Sequence, residues 1–137
     1  MFIAWPALVL WVHATALKAE TVTVSAGGYQ ADVGVHRPPQ ETFDAVVISL
    51  HGKERGRAHP DNVAYANRLA RAGFLVLTPQ MPWYDYSAPP ETAFRLIDEL
   101  VRRFATPAHK VFVAGHSQGA PYALFYSTAH TPPPPLS

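Results

Sequence analysis

Gly115-His116-Ser117-Gln118-Gly119 is the stretch of this chain whose residue types and spacing best suit chemistry. It fits G-x-S-x-G, follows the apolar run Val111-Phe112-Val113-Ala114 directly, and opens a helical segment. A serine at such a strand-to-helix turn sits on strained backbone. Gly115 and Gly119 remove side chains that so tight a turn cannot hold. Ser117 then projects from the strand end. Its hydroxyl lies near a helix N-terminus, whose free N–H groups and dipole favour developing negative charge. The chemistry is nucleophilic, and a serine used that way needs an imidazole base and an acid.

Those partners are not evident. After Ser117 the chain has no Asp and no Glu, and His130 is its only later histidine. At about 1.5 Å of rise per helical residue, His130 lies about 18 Å from the serine. It reaches Ser117 only if the helix fails. His116 adjoins the serine and points elsewhere. Asp85 and His59 precede it and could approach the strand ends, though a triad in which the partners follow the serine gives them little support.

The elements that must position the serine read as alternating strands and helices. Thr21–Ser25 and Tyr29–Val35 alternate in polarity and read as a hairpin around Gly27-Gly28, with Tyr29, Ala31, Val33 and Val35 on one face. Ala45–Leu50 is continuously apolar, as in a strand buried on both faces. A helix from Pro60 to Gly73 puts Val63, Ala66, Leu69 and Ala70 on one side. Phe74–Leu77 is a further strand, and Thr78–Pro90 a loop rich in proline and aromatics. Glu91–Phe104 is the clearest helix. Phe94, Ile97, Val101 and Phe104 share a face, with Leu100 beside them. Glu91–Arg95, Asp98–Arg102 and Glu99–Arg103 are spaced for i,i+4 ion pairs. Val111–Ala114 is the last strand and Gln118–Ala129 the last helix, with Pro121 in its first turn. This order predicts an α/β fold, a mostly parallel sheet with an N-terminal antiparallel hairpin and helices on both faces.

On these residues the chain resembles the α/β-hydrolase family over about 21–128, which is the first half of that fold. Three features carry the resemblance, in order. They are the strand ending in Leu50-His51-Gly52, the strand and loop Leu77-Thr78-Pro79-Gln80-Met81-Pro82-Trp83, and the G-x-S-x-G turn. The resemblance implies a serine hydrolase acting on an ester or related acyl bond, with Ser117 as nucleophile. It implies an oxyanion hole made by the backbone N–H groups of Gln118 and Lys53. Gly52, Gly115 and Gly119 would be the loop and elbow glycines. The family orders its triad as Ser, then Asp or Glu, then His. This sequence departs from that order, so the expectation is a three-layer sheet truncated after the helix that follows the elbow. The alternatives are a non-catalytic binding module of the same fold and half of an enzyme assembled from two chains. On this expectation the Val111–Ala114 strand is left with an open edge that invites self-association.

Composition narrows the field. The chain has 137 residues and a formal net charge of +1, which gives no field to draw nucleic acid. It has no cysteine, which excludes disulfides and thiolate chemistry. Its histidines show no metal-ligand spacing, and there is no phosphate loop or dinucleotide fingerprint, so no metal or cofactor is expected. The partner expected is a small acyl substrate. Residues 1–16, MFIAWPALVLWVHATA, carry no charge and end in Ala14-Thr15-Ala16. They read as an export signal, too short to span a bilayer. A cleaved signal places the chain in the periplasm or outside the cell; an uncleaved one leaves it anchored or cytoplasmic. Residues 17–130 form the partial hydrolase domain, and 131–137 a proline-rich tail. Lys53, Arg55, Arg57 and His59 crowd one loop with Glu54, either to attract a substrate anion or as a solvated surface. His51, Met81, Trp83 and Tyr84 are candidate pocket residues, and the aromatics among them are equally suited to the core.

Overall fold

A computed structural model describes residues 19–83 and 91–130. The export-signal segment 1–16, Tyr84, Asp85 and the proline-rich 131–137 lie outside the described residues.

Five strands and three helices follow the expected order: β1 (Ala19–Ala26), β2 (Tyr29–His36), β3 (Ala45–Leu50), α1 (Pro60–Arg71), β4 (Leu75–Pro79), α2 (Glu91–Phe104), β5 (Lys110–Gly115) and α3 (Gly119–Ala129). Gly27 and Gly28 both have positive φ, at 56° and 82°, which suits a tight two-residue hairpin turn between β1 and β2. The sheet runs β1-β2-β4-β3-β5. β2 pairs antiparallel with β4, and β3 pairs parallel with both β4 and β5. All six residues of β3 are buried, as its unbroken apolar run requires.

The crossovers explain the layers. From β3 the chain passes through α1 to β4 on one side. From β4 it returns through α2, past β3, to β5 on the other. Two right-handed crossovers in opposite directions put their helices on opposite faces. Accordingly α1 closes a small cluster of Val47, Ala66, Ala70 and Val76. The other face holds the main core, where Val46, Ile48 and Leu50 meet Leu96, Ile97 and Leu100 of α2 and Ala123 and Tyr126 of α3. Among the described residues, no helix is long and apolar enough to cross a membrane.

Helix α2 departs from expectation twice. Its buried stripe is Thr92, Ala93, Leu96, Ile97, Leu100 and Val101. Phe94 and Phe104 lie at its margin, because Phe94 turns toward Tyr122 and Tyr126 of α3 at ring separations of 5.8 and 6.3 Å. The i,i+4 ion pairs also give way. Arg102 pairs with Glu99, one turn back, and Arg103 donates to the carbonyl of Thr23 at 3.3 Å. Asp98 accepts from the Tyr126 hydroxyl and faces His130 Nε2, both at 2.9 Å. Tertiary partners in a half-buried site outcompete a solvated surface pair, which is worth well under about 1 kcal/mol.

Ile48 is completely buried in the middle strand. Ile48→Ala is expected to cost about 2–5 kcal/mol of unfolding free energy and Ile48→Val about 1 kcal/mol, read by denaturant titration. Equal costs for the two would mean that this position is not tightly packed.

Candidate active site

The direction reversal has a second effect. Helix α1 leaves β3 on one face and α3 leaves β5 on the other, so a crevice opens at the C-terminal ends of these two adjacent strands. In open α/β sheets that is where ligands bind. The loop after β3 begins with His51-Gly52, and the turn after β5 is His116-Ser117-Gln118.

The turn is as tight as its sequence requires. Ser117 has φ 53°, and among the described residues it is the only non-glycine with positive φ. That left-handed backbone turns the side chain out of the strand line. The chain is held there by His116 N–H donating to the Leu50 carbonyl at 3.1 Å. Gly119 and Ala120 N–H donate back to the His116 and Ser117 carbonyls at 2.9 and 3.0 Å. A Cβ on Gly115 would lie 2.1 Å from the Gly119 carbonyl oxygen. One on Gly119 would lie 2.5 Å from that of Leu50. Both glycines are therefore obligatory on steric grounds. Gln118 opens α3 with helical angles, so Pro121 falls in the first turn, where its missing N–H costs nothing.

Gly52 brings the β3 loop against this turn: a Cβ there would sit 3.3 Å from Ser117 Cβ and 3.4 Å from His116 Nδ1. Lys53 follows in the same turn-rich loop, which Arg55 N–H tightens by donating to the Gly52 carbonyl at 3.4 Å. The structure thus brings Gly52, Gly115, Ser117, Gln118 and Gly119 to one junction, with Lys53 one residue away.

His51 has a different task. It is buried, its Nε2 accepts from the Met81 N–H at 2.8 Å, and its Nδ1 lies 2.6 Å from the Gly52 carbonyl. An acceptor Nε2 places the ring proton on Nδ1, which donates to Gly52. Trp83 Nε1 donates to the His51 carbonyl at 3.2 Å and its ring meets the imidazole edge-on. With both nitrogens engaged, His51 ties the Gly52 loop to the Met81–Trp83 segment. Burial lowers its pKa below the ordinary 6.5, against the raising effect of the Gly52 carbonyl.

A cavity of about 380 Å³ opens beside the turn on the α1 face. His51, Gly52, Arg55, His59 and His116 line part of it. Sequence reasoning missed Ser49, Asn62 and Tyr65, which also line it. The available signal was Ser49, the one polar residue in Ala45–Leu50. Its hydroxyl donates to Asn62 Oδ1 at 3.4 Å, and Asn62 Nδ2 donates to the Arg57 carbonyl at 2.8 Å. Met81 and Trp83 are not walls of this cavity. Met81 is fully buried in the main core, and Trp83 packs on Tyr122 of α3 at a ring separation of 4.5 Å. The basic loop is partly neutralised by Asp61, since Arg55 donates to its carboxylate at 2.7 Å. His59 caps α1 by accepting from Asp61 N–H at 3.2 Å. His130 lies at the far end of an unbroken α3 and is held by Asp98. Among the described residues, no His, Asp and Glu cluster is fit to hold a metal ion.

Solved structures share this architecture. A dienelactone hydrolase from Anabaena variabilis matches at TM-score 0.64 and 21% identity, over 79% of this chain and 56% of its own. A cold-adapted esterase from an Arctic intertidal metagenomic library matches at TM-score 0.69 and 11% identity, over 85% and 58%. A lidless α/β serine hydrolase from Xanthomonas campestris matches at TM-score 0.62 and 18% identity, over 82% and 56%. The fold is that of the α/β hydrolases. This chain spans little more than half the length of those three proteins. No family model and no curated protein matches the sequence.

Two measurements test this construction of the site. Gly119→Ala is expected to lower unfolding free energy by about 1–3 kcal/mol, because its methyl meets the Leu50 backbone. An unchanged denaturation midpoint would show that the turn is looser than described. The second test uses the depressed pKa of His51. The unfolded chain binds a proton there below pH 6.5 that the folded chain resists. This stabilising contribution is therefore full above pH 6.5 and is lost as pH falls through the window beneath it. Melting temperatures of the wild type and His51→Gln are expected to converge as pH is lowered from 7 toward 5. A gap that widens on acidification would reverse the assignment.

Proposed function

We propose that this chain carries the nucleophile of a serine hydrolase that cleaves an ester or related acyl bond in a small molecule. The observation that carries the reading is Ser117 in a left-handed turn between β5 and α3, with Gly52 packed against it. The Ser117 hydroxyl attacks the carbonyl carbon and a tetrahedral oxyanion forms. The backbone N–H groups of Gln118 and Lys53 donate to that oxyanion, and one such donor is typically worth about 3 kcal/mol in the transition state. Expulsion of the leaving group gives an acyl-serine, which water then hydrolyses. On this reading the substrate enters by the cavity that Gly52, Gly115 and His116 line next to the serine, although Ser117 itself is not among its lining residues.

The step needs a base to take the Ser117 proton. His51 has both nitrogens engaged and His130 is bound to Asp98, while the sequence after Ser117 has no carboxylate side chain. Two further readings answer this differently: the base and its acid come from another polypeptide, or the fold serves as a non-catalytic binding module.

A fluorophosphonate probe separates these readings. Labelling of the wild-type chain that Ser117→Ala abolishes is the expected result for a competent nucleophile. Labelling that appears only after a complementary chain is added assigns the base to that partner. A folded chain that stays unlabelled under both conditions overturns the hydrolase reading.

A further inference from the structure

The loop from β3 to α1 carries the Gly52 and Lys53 backbone to the Ser117 turn. It consists of two short turns. Arg55 N–H donates to the Gly52 carbonyl at 3.4 Å, and His59 N–H donates to the Gly56 carbonyl at 3.3 Å. Both bonds are long for N–H to carbonyl. The turns join at Gly56, which is buried and has φ 43°. A loop with so little internal bonding keeps one conformation when its neighbours grip it, since each ordered residue costs conformational entropy. His51 grips the entrance, through Met81 and Trp83.

The exit is gripped at Arg57, by both of its backbone groups. Arg57 N–H donates to Gln80 Oε1 at 3.0 Å, and the Arg57 carbonyl accepts from Asn62 Nδ2 at 2.8 Å. Gln80 directly follows β4, and Asn62 stands in the first turn of α1. Each is itself held. Gln80 N–H donates to the Asp32 carbonyl at 2.8 Å, and the Gln80 carbonyl accepts from the Tyr29 hydroxyl at 2.9 Å. Asn62 Oδ1 accepts from Ser49 of β3. An N–H needs an acceptor, so the Gln80 amide must turn its oxygen to Arg57. Its Nε2 is then left buried and without a hydrogen-bond partner among the described residues. An orphaned buried donor costs free energy. The interaction that accounts for a glutamine here is its bond to Arg57.

We propose that Gln80, together with Asn62, is a positioning residue for the oxyanion donors. By gripping Arg57 it closes the loop behind Lys53, as His51 closes it in front, and so holds the Lys53 N–H at the Ser117 turn. Such donors stabilise an oxyanion most when nothing has to reorganise as the charge forms. Every residue of this clasp lies between Tyr29 and Gln80, in β2, β3, α1 and the segments that join them to β4. The consequence for catalysis rests on the hydrolase reading of Ser117; the grip on the loop does not.

Amide hydrogen exchange on the 137-residue chain, followed by NMR, tests the grip. Gln80→Met keeps the length of the side chain and removes both the Arg57 acceptor and the orphaned donor, so the fold should keep its stability. Arg57 N–H should then exchange at least about tenfold faster, and Arg55 N–H with it, while β3 and β4 amides keep their wild-type rates. Gln80→Glu restores an acceptor and should return both amides to slow exchange. Unchanged Arg57 exchange in Gln80→Met, a faster Arg57 beside an unchanged Arg55, or acceleration of the whole sheet would each overturn the proposal. Fluorophosphonate labelling reads the consequence, under whichever condition labels wild-type Ser117, with or without a complementary chain. Gln80→Met should label at least about fivefold more slowly, and Gln80→Glu at the wild-type rate. Equal rates for Gln80→Met and the wild type would overturn the positioning role. A wild-type chain unlabelled under both conditions removes the hydrolase reading and the oxyanion role with it, while the exchange result still decides the grip.

Discussion

The site depends on one backbone contact. The Leu50 carbonyl, at the end of β3, accepts from His116 N–H, and Gly119 approaches the same oxygen closely enough to exclude any side chain. This joins the end of the middle strand to the turn after the edge strand. It fixes where α3 begins and therefore where the Gln118 N–H and the Ser117 hydroxyl stand. The positive φ of Ser117 costs free energy, and it persists because the flanking hydrogen bonds leave the turn little alternative.

Two histidines show how similar side chains acquire different tasks from their surroundings. His51 is enclosed, neutral and bonded to backbone on both ring nitrogens, so it acts as a strut between two loops. His130 is partly exposed and stacks on Phe94 and Tyr126 while facing the Asp98 carboxylate. Asp98 also takes the Tyr126 hydroxyl. Burial, together with that bond and the carboxylate's charge, raises the tyrosine's pKa, so the phenol stays a donor throughout the physiological range. These bonds fasten the last turn of α3 to α2, at the end of the helix opposite Ser117.

Much of this architecture was legible in the sequence because its signals are local. The unbroken apolar run of β3, the Gly27-Gly28 turn and the two glycines around Ser117 each dictate their own backbone. The parts that were not legible depend on which elements become neighbours. The i,i+4 spacing around Asp98 says nothing of Tyr126 and His130, which arrive with α3. Phe94 lies on the apolar side of an isolated α2, but the rings of α3 draw it to the margin. Trp83 reads equally as pocket or core, and its contact with Tyr122 of α3 decides for the core. Ser49 and Asn62 reach the cavity by pairing across β3 and α1, which no spacing along the chain displays.

The contact between Leu50 and the Ser117 turn also joins residues 66 positions apart in the sequence. Between them come α1, β4 and α2, so the chain must close a long loop for β5 to lie beside β3. The hairpin of β1 and β2 closes locally and needs none of this. A partly folded chain can therefore hold native strands yet have no turn at Ser117. Whatever reacts at that hydroxyl reports on the integrity of the sheet as far as its last strand.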